Sequence, residues 1–151
     1  MVEVPATVVL LDKYLPEVDF ISIGTNDLIQ YALAVDRSNN EVADRYQASD
    51  PAVLRLIEMS LDAASQNDIP ASVCGQMSGE TSYTMLLLGL GLRALSVPPS
   101  AIPEIKKICR SVSVSQCVKV AQRALTMESP REIDTYLREE LRKVVPELVP
   151  C

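Results

Sequence analysis

Apolar residues along this chain follow two alternating patterns: short runs of β-branched residues, and longer stretches with an apolar residue at every third or fourth position. The first pattern is typical of buried strands and the second of amphipathic helices, so the alternation predicts strand–helix units on a parallel sheet. The predicted strands are residues 1–4, 18–23, 71–74 and 94–97. The predicted helices are residues 6–15, 27–33, 80–88, 102–110, 115–127 and 131–145, with one more beginning at Pro51, and residues 35–47 are predicted to be a loop.

Two of the helices have capping residues at their predicted starts. Asp50 precedes Pro51, so its carboxylate is expected to cap the helix while proline occupies the first helical position. Ser129 precedes Pro130 and lies three residues before Glu132, which is the pattern of a capping box. Both helices are therefore expected to begin at these residues.

The fold class expected from this order of elements is α/β, with about four parallel strands. Four strands are few for a doubly wound sheet, and no glycine-rich nucleotide loop follows any of them. Part of a (β/α)8 TIM-type barrel fits the pattern better, with extra helices toward the C-terminal end of the chain. In such a barrel the functional residues lie in the loops that follow the strands.

Polar residues stand at the ends of three predicted strands. Glu3 interrupts the first strand, Asn26 and Asp27 follow the second, Cys74 ends the third, and Arg37 lies in the loop beyond the second. A carboxylate in a buried strand is costly unless it is paired or bound to a metal, whereas Asp27 is equally well explained as a helix cap. In a barrel the two carboxylates would meet at the mouth and predict an Mg²⁺ site, because Mg²⁺ prefers oxygen ligands together with substrate phosphate.

Composition excludes several classes of function. The chain contains no histidine, so serine–histidine and cysteine–histidine hydrolases are excluded, as is phosphohistidine chemistry on its own residues. A net charge of −6 without a basic cluster argues against a nucleic-acid partner. No apolar stretch approaches the length of a membrane span, and the first residues do not have the pattern of a secretory leader. No membrane partner and a cytoplasmic location are therefore expected.

The cysteines form no C-x-x-C pair, which makes a zinc site or a disulfide framework a poor interpretation. Cys109 and Cys117 lie at helical spacing and are expected to be small apolar filler. On composition alone Cys74 is also a buried apolar residue. Cys151, the last residue of the chain, has no cysteine near it in sequence.

A longer motif carries a family resemblance. Residues 19–37 read DFISIGTNDLIQYALAVDR, which resembles the signature DFxSIGTNDLxQYxLAxDR of the phosphoenolpyruvate-utilising enzymes. MVEVP precedes the motif and VCG follows it, as in that family, and the resemblance continues through LLLGLGLRALSVPPSAIPEIKKICR before it thins after Met127. The stretch LAVDRSNNEVADRYQ resembles the phosphoenolpyruvate–protein phosphotransferases (Enzyme I of the sugar-transport phosphotransferase system) more than pyruvate phosphate dikinase or phosphoenolpyruvate synthase, which remain the alternatives.

The resemblance implies an architecture and a set of roles. Residues 1–127 would be the C-terminal half of a phosphoenolpyruvate-binding (β/α)8 barrel, and residues 128–151 a C-terminal helix that completes the same domain. Glu3 and Asp27 match the family's Mg²⁺ ligands, and Asn26 and Arg37 match residues that contact the phosphate of the substrate. Cys74 matches the acid that protonates C3 of the enolate, a role that suits a thiol able to exchange its proton near neutral pH.

The implied reaction transfers the phosphoryl group of phosphoenolpyruvate to an enzyme histidine, and from there to a histidine-containing phosphocarrier protein. Because the chain has no histidine, it is expected to be inactive alone, as a fragment of a full enzyme of the sugar or the nitrogen-regulatory branch. The open edges of a half-barrel, and the dimerisation of the family, predict self-association or a homodimer. A non-catalytic dimerisation or regulatory module is the alternative.

One residue beside Cys74 departs from the family pattern. The family has glutamate after the Cys-Gly pair, whereas this chain has Gln76, which keeps the size of the side chain and removes its charge. Gln76 is still expected to make a hydrogen bond from the same place.

Overall fold

The computed structural model describes residues 1–39 and 41–148. In this part of the chain the strands are β1 (Ile21–Gly24), β2 (Ala71–Cys74) and β3 (Ala94–Leu95). The helices are α1 (Pro5–Val9), α2 (Leu11–Tyr14), α3 (Thr25–Leu33), α4 (Pro51–Gln66), α5 (Gln76–Gly79), α6 (Thr84–Gly89), α7 (Ile102–Ser111), α8 (Val114–Leu125) and α9 (Pro130–Val144). The protein is therefore a mixed α/β structure in which helix predominates.

The sheet is parallel, and its strands lie side by side in chain order. Gly24 pairs with Cys74, so β1 and β2 end level with each other. Val2 adds one parallel bridge to Ile23: its N–H donates to the carbonyl oxygen of Ser22 (2.8 Å), and its carbonyl oxygen accepts the N–H of Gly24 (2.9 Å). Parallel neighbours in chain order, linked through helices, are compatible with a sector of a (β/α)8 barrel, and the half-barrel itself stays a prediction.

The strand predictions were right in place and partly wrong in extent. The strand at residues 71–74 is confirmed as β2. The strand predicted at residues 1–4 is reduced to the bridge at Val2, because Pro5 begins α1 at once and fixes the first helical turn. The strand predicted at 18–23 begins only at Ile21, after a 3-10 turn at Leu15–Glu17, and the one predicted at 94–97 is limited to β3.

Most predicted helices are confirmed to within a few residues, and two are corrected. The helix predicted at 6–15 divides into α1 and α2, and the one predicted at 80–88 starts only at Thr84, after α5 and a 3-10 turn at Thr81–Tyr83. The predicted loop at 35–47 includes a short 3-10 turn, Ala43–Arg45. Both predicted caps are confirmed, since Asp50 accepts the N–H of Ala52 (2.8 Å) and Ser129 that of Glu132 (3.2 Å).

The two faces of the sheet have different surroundings. Ile23 and Val73 are fully buried against the helices, and α4 packs on β1. Ser22 and Cys74 point to the opposite face and are only half-buried. One face of the sheet thus belongs to the apolar core, while the other carries small polar side chains.

The helices after β3 pack into the same core, to which α9 contributes Ile133, Leu137 and Leu141. The division into residues 1–127 and 128–151 stays a prediction. Cys117 is fully buried, as expected for apolar filler, but Cys109 is exposed on α7, so that part of the interpretation is wrong. Cys151 lies outside the described residues. Across residues 1–39 and 41–148, no helix combines the length and the apolar character that crossing a bilayer requires.

Candidate functional site

The candidate site lies where β1 and β2 end. Gly24 and Cys74 are paired across these strands, α3 begins immediately after Gly24, and Cys74 is followed by Gly75 and the short α5. In open and closed parallel sheets alike, ligands bind beyond the carboxyl ends of the strands. The residues that follow Gly24 and Cys74 are therefore the first to consider.

The two strand ends are joined by short hydrogen bonds. The hydroxyl of Thr25, which is completely buried, donates to the carbonyl oxygen of Cys74 (2.9 Å), and the backbone N–H of Gln76 donates to Oδ1 of Asn26 (2.8 Å). Gly75 has φ +100°, and a Cβ there would lie 2.5 Å from Oγ1 of Thr25 and 2.9 Å from Oδ1 of Asn26. Only glycine fits this approach, and the resulting contact fixes the two loops relative to each other.

The orientation of Asn26 follows from this contact. Because an N–H of the backbone must meet an acceptor, the amide oxygen of Asn26 faces Gln76 and its NH₂ group faces the other way. Within the described residues that NH₂ group has no hydrogen-bond partner. Asn26 therefore presents two N–H donors at the end of β1, which is the chemistry that an anionic oxygen needs.

Cys74 is a free, half-buried thiol on the polar face of the sheet. Its Sγ donates to the carbonyl oxygen of Ile23 (3.5 Å) and accepts from the hydroxyl of Ser22 (3.6 Å). A disulfide with Cys109 or Cys117 is excluded, because both are free thiols as well. The thiol thus lies at the strand end, with neutral hydrogen-bonding partners.

Glu3 and Asp27 both lie near the Gly24 end of β1. Glu3 follows the bridging residue Val2, and its Oε2 would be 3.1 Å from a Cβ on Gly24. Asp27 is the third residue of α3, whose N-cap position is occupied by Gly24, so the alternative of an N-cap role for Asp27 is wrong. Its Oδ1 accepts from Nε2 of Gln30 (3.4 Å).

The donor set fits a magnesium ion better than a transition metal. No group of three or more histidine, cysteine, aspartate or glutamate side chains within residues 1–39 and 41–148 could hold a metal. Mg²⁺ is usually held by one or two protein carboxylates, with water and substrate oxygens completing its six ligands. Two half-buried carboxylates at one strand end, Glu3 and Asp27, match that requirement.

Arg37 reaches the same region through the loop after α3. Its backbone N–H donates to Oε1 of Gln30 (3.1 Å), and its side chain is exposed. Burial raises the pKa of Tyr46; the positive charge of Arg37 opposes this shift, whereas the negative charge of Asp27 adds to it. Arg37 and Asp27 therefore both lie within electrostatic range of the Tyr46 phenol, whose hydroxyl is 3.5 Å from the carbonyl oxygen of Asn26.

Gln76 borders a second, acidic group of residues. A groove beside it is lined by side chains that include Glu80, Tyr83 and Asp134, together with the cationic Arg131. Tyr83 donates to Oδ1 of Asp134 (3.0 Å), and burial, followed by the charge of Asp134, raises the pKa of the phenol. Burial and then Asp134 also raise the pKa of Glu80, with Arg138 opposing them. A glutamate in place of Gln76 would add a third carboxylate to this groove.

Sequence reasoning missed several side chains of this region. Ser22, Thr25 and Gln30 lie within the recognised motif, yet only the folded chain shows that they contact Cys74, Asp27 or the Arg37 backbone. Tyr46 lies in a segment that was predicted only as an irregular loop. The alternation of serine with apolar residues in β1 could have indicated that Ser22 faces away from the apolar core, but only the register of β1 and β2 places Cys74 on the same face.

Comparisons with known proteins agree with the motif. Residues 1–114 match the family described as "PEP-utilising enzyme, PEP-binding domain". A phosphoenolpyruvate-protein phosphotransferase of Buchnera aphidicola subsp. Acyrthosiphon pisum is 43% identical over 133 residues, which are 88% of this chain and 23% of that protein. The protein of the same name from Mycoplasma pneumoniae is 39% identical over 143 residues (95% and 25%), and that from Enterococcus faecalis is 41% identical over 147 residues (97% and 24%). The chain spans about a quarter of the length of these relatives.

Proposed function

This chain belongs to the PEP-utilising enzymes, and from that membership we propose that the ends of β1 and β2 bind phosphoenolpyruvate and Mg²⁺ as part of a phosphoenolpyruvate–protein phosphotransferase. The observation that carries the proposal is the contact between the two strand ends. It joins the segment that bears Asn26 and Asp27 to the segment that bears Cys74 through two hydrogen bonds of 2.9 and 2.8 Å.

Each proposed role follows from the chemistry of the side chain. Arg37 would bind the phosphate, since a guanidinium offers a planar pair of donors to two oxygens, and the NH₂ group of Asn26 would donate to the same group. Glu3 and Asp27 would hold Mg²⁺, which supplies positive charge beside the substrate oxygens during phosphoryl transfer. Cys74 would give its proton to C3 of the enolate left behind by the departing phosphoryl group.

The rest of the reaction needs groups beyond this chain. Because the chain has no histidine, the phosphorylated histidine and the histidine-containing phosphocarrier protein are proposed to meet the site from outside these residues. We also propose that the chain self-associates. Support for this comes from apolar side chains left exposed on α1, α2 and the segment before β1, among them Val9 (65%), Leu10 (48%), Tyr14 (49%) and Phe20 (67%).

Calorimetry tests the binding proposal. Phosphoenolpyruvate and oxalate, a mimic of the enolate, are titrated into the wild-type chain with and without Mg²⁺, and into the Arg37→Ala and Arg110→Ala variants. Both ligands should bind only with Mg²⁺, and Arg37→Ala should weaken phosphoenolpyruvate about tenfold or more, the range expected for a charged hydrogen bond. Arg110, exposed on α7, serves as the matched control and should not change either affinity.

Absence of binding by the wild-type chain under all these conditions contradicts the proposal and favours the non-catalytic dimerisation module. Equal weakening by Arg37→Ala and Arg110→Ala contradicts the specific role of Arg37. Such a result would show that both arginines act only through the general attraction of positive charge for an anionic ligand.

The role of Cys74 is tested in the full-length transferase by the exchange of deuterium into the methyl group of pyruvate. Cys74→Ala should abolish the exchange and leave metal binding intact, whereas Cys109→Ala should leave the exchange unchanged because Cys109 lies exposed on α7. Unchanged exchange in Cys74→Ala would remove Cys74 from this role.

A further inference from the structure

Among residues 1–39 and 41–148, Gln30 is the one side chain that makes hydrogen bonds both to the candidate metal ligand Asp27 and to the segment that carries Arg37. Its Nε2 donates to Oδ1 of Asp27 (3.4 Å), and its Oε1 accepts the backbone N–H of Arg37 (3.1 Å). The two bonds use opposite ends of one planar amide, and each has a donor facing an acceptor. The amide orientation is therefore determined by its two neighbours.

The backbone of Gln30 also determines where the chain goes after α3. Its carbonyl oxygen accepts the N–H groups of Ala34 and Val35, the latter at 3.0 Å, and Ala34 is left-handed with φ +53°. This is the geometry in which a helix ends and the chain turns back on its last turn. Backbone and side chain of Gln30 together thus make three hydrogen bonds to the segment from Ala34 to Arg37.

The residues around Arg37 hold the turn from the other side. The carboxylate of Asp36 accepts from the backbone N–H (2.8 Å) and the hydroxyl (2.7 Å) of Ser38, and both bonds lower its pKa. Asp36, Arg37 and Ser38 are themselves exposed, so little packing restrains them. The contact with Gln30 is therefore a principal link between this turn and α3.

We infer that Gln30 is a positioning residue that couples Asp27 to Arg37 across the candidate site. The inference rests on the proposed function and adds to it: the metal-binding and phosphate-binding halves of the site are held together by one amide. A fixed Arg37 backbone leaves the guanidinium free to meet a phosphate, while the bond to Oδ1 of Asp27 limits the rotation of that carboxylate. A phosphate-bearing ligand gains from both effects, because less conformational freedom is lost when it binds to a site that is already ordered.

Two variants of Gln30 and one control variant separate the effects of its two side-chain hydrogen bonds. Gln30→Met keeps the length of the side chain and removes both hydrogen bonds. Gln30→Glu keeps an acceptor for Arg37 and removes the donor to Asp27. Gln122→Met, at an exposed position in α8, is the matched control for exchanging glutamine for methionine in a helix. Amide hydrogen exchange at Arg37 is measured without ligand, and affinities for phosphoenolpyruvate and oxalate are measured with Mg²⁺.

In Gln30→Met we expect several-fold faster exchange of the Arg37 amide, with retention of the wild-type rate in Gln30→Glu and Gln122→Met. We also expect a loss of about 2- to 10-fold in phosphoenolpyruvate affinity for Gln30→Met, the range for one or two ordinary hydrogen bonds. The loss for oxalate should be smaller, since oxalate has no phosphate to meet Arg37. If Gln30 only stabilised the fold, Gln30→Met would lower the affinities for phosphoenolpyruvate and for oxalate by the same factor.

The outcomes distinguish this inference from the proposed function. If the wild-type chain binds both ligands but Gln30→Met matches it in exchange and affinity, the inference is overturned and the proposed function stands. If the wild-type chain binds neither ligand while Gln30→Met still speeds exchange at Arg37, the proposed function fails and the anchoring of Arg37 by Gln30 is supported.

Discussion

Glycine allows two unusually close backbone contacts in this molecule, one between the ends of two strands and one between two helices. The two contacts lie in regions that differ in their role. Gly75 allows the loop after β2 to touch Thr25 and Asn26 at the end of β1, among polar atoms. Gly89, the last residue of α6, allows α6 to meet α8 so closely that a Cβ would lie 2.1 Å from the carbonyl oxygen of Cys117. The second contact lies within the apolar core, whereas the first positions side chains for chemistry.

Stability and the candidate site are coupled at Gly75 but not at Gly89. Around Gly89 the neighbours are the backbone of Cys117 and the methyl group of Ala121, so a disturbance there affects packing alone. Around Gly75 the neighbours are the hydroxyl of Thr25 and the amide of Asn26, so a disturbance there moves a candidate ligand as well. Substitutions at the two glycines should therefore differ in kind as well as in size.

The largest expected effect on stability is that of Gly89→Ala. The added methyl group cannot avoid the backbone of α8, so the helices must separate, at a cost of about 3 kcal/mol in the free energy of unfolding. Urea denaturation measures this loss. Gly91→Ala is the control, because Gly91 has a positive φ of +102° but nothing within 4 Å of its Cβ, and should cost only about 1–2 kcal/mol. Equal losses for the two variants would contradict the close α6–α8 contact as the source of a larger cost at Gly89.

The next largest effect on stability, accompanied by a loss of binding, is expected for Gly75→Ala. The substitution combines backbone strain with displacement of Thr25 and Asn26, at a cost of about 2 kcal/mol. Among molecules that remain folded, the affinity for oxalate in the presence of Mg²⁺ should fall, whereas folded Gly89→Ala should retain the wild-type value. Calorimetry at a temperature where both variants are folded checks the difference. Wild-type oxalate affinity in Gly75→Ala would remove the distinction between the two regions.

Local sequence signals predicted the parts of the fold that local chemistry decides. Strand β2 was predicted with its observed bounds because apolar and turn residues delimit it, and Asp50 and Ser129 indicated the starts of α4 and α9. The first strand was predicted to be too long because a run of apolar residues does not show where a strand ends. The position of Pro5 at the first turn of α1, which ends the extended segment, becomes clear only in the structure.

The candidate site was predicted from the motif, but the interactions between its residues were not. Glu3, Asn26, Asp27 and Cys74 were expected at strand ends, and all four lie beyond the matching ends of β1 and β2 or beside them. The contacts made by Gln30 and Tyr46 depend on how the chain turns after α3. That turn uses a left-handed alanine, Ala34, which no residue-type preference predicts.

The smallest expected effect concerns the acidic groove beside Gln76. Because the pKa of the Glu80 carboxyl is raised in the folded protein, the folded state binds the proton of this carboxyl more tightly than the unfolded state does. The stabilisation from this proton is fully present below the ordinary value of 4.5 and is lost as the pH rises through the folded-state value. Because the Glu80 side chain is largely exposed, solvent screens this repulsion, so at pH 7 Glu80→Gln should raise Tm by less than about 1 °C. The difference from wild type should disappear below pH 4.5.

Glu147→Gln provides a control of opposite sign. The ion pair with Lys107 lowers the pKa of Glu147, so its contribution is present at pH 7 and lost as the pH falls through the folded-state value. This variant should lower Tm slightly at pH 7. A thermal scan in which both variants shift Tm in the same direction at pH 7 would contradict the assignment of burial and repulsion at Glu80.

The location of the proposed metal and substrate site, at the ends of β1 and β2 and not at the acidic groove, can be tested directly by NMR. Mn²⁺, which accepts the same oxygen ligands as Mg²⁺, broadens the NMR signals of nearby amides and can be titrated into the ¹⁵N-labelled chain with oxalate. We expect the amides around Glu3, Gly24 and Asp27 to lose intensity first, and Asp27→Asn to abolish this loss. If the amides around Glu80 and Asp134 lose intensity first, or if all amides lose intensity equally, the site does not lie at the ends of β1 and β2.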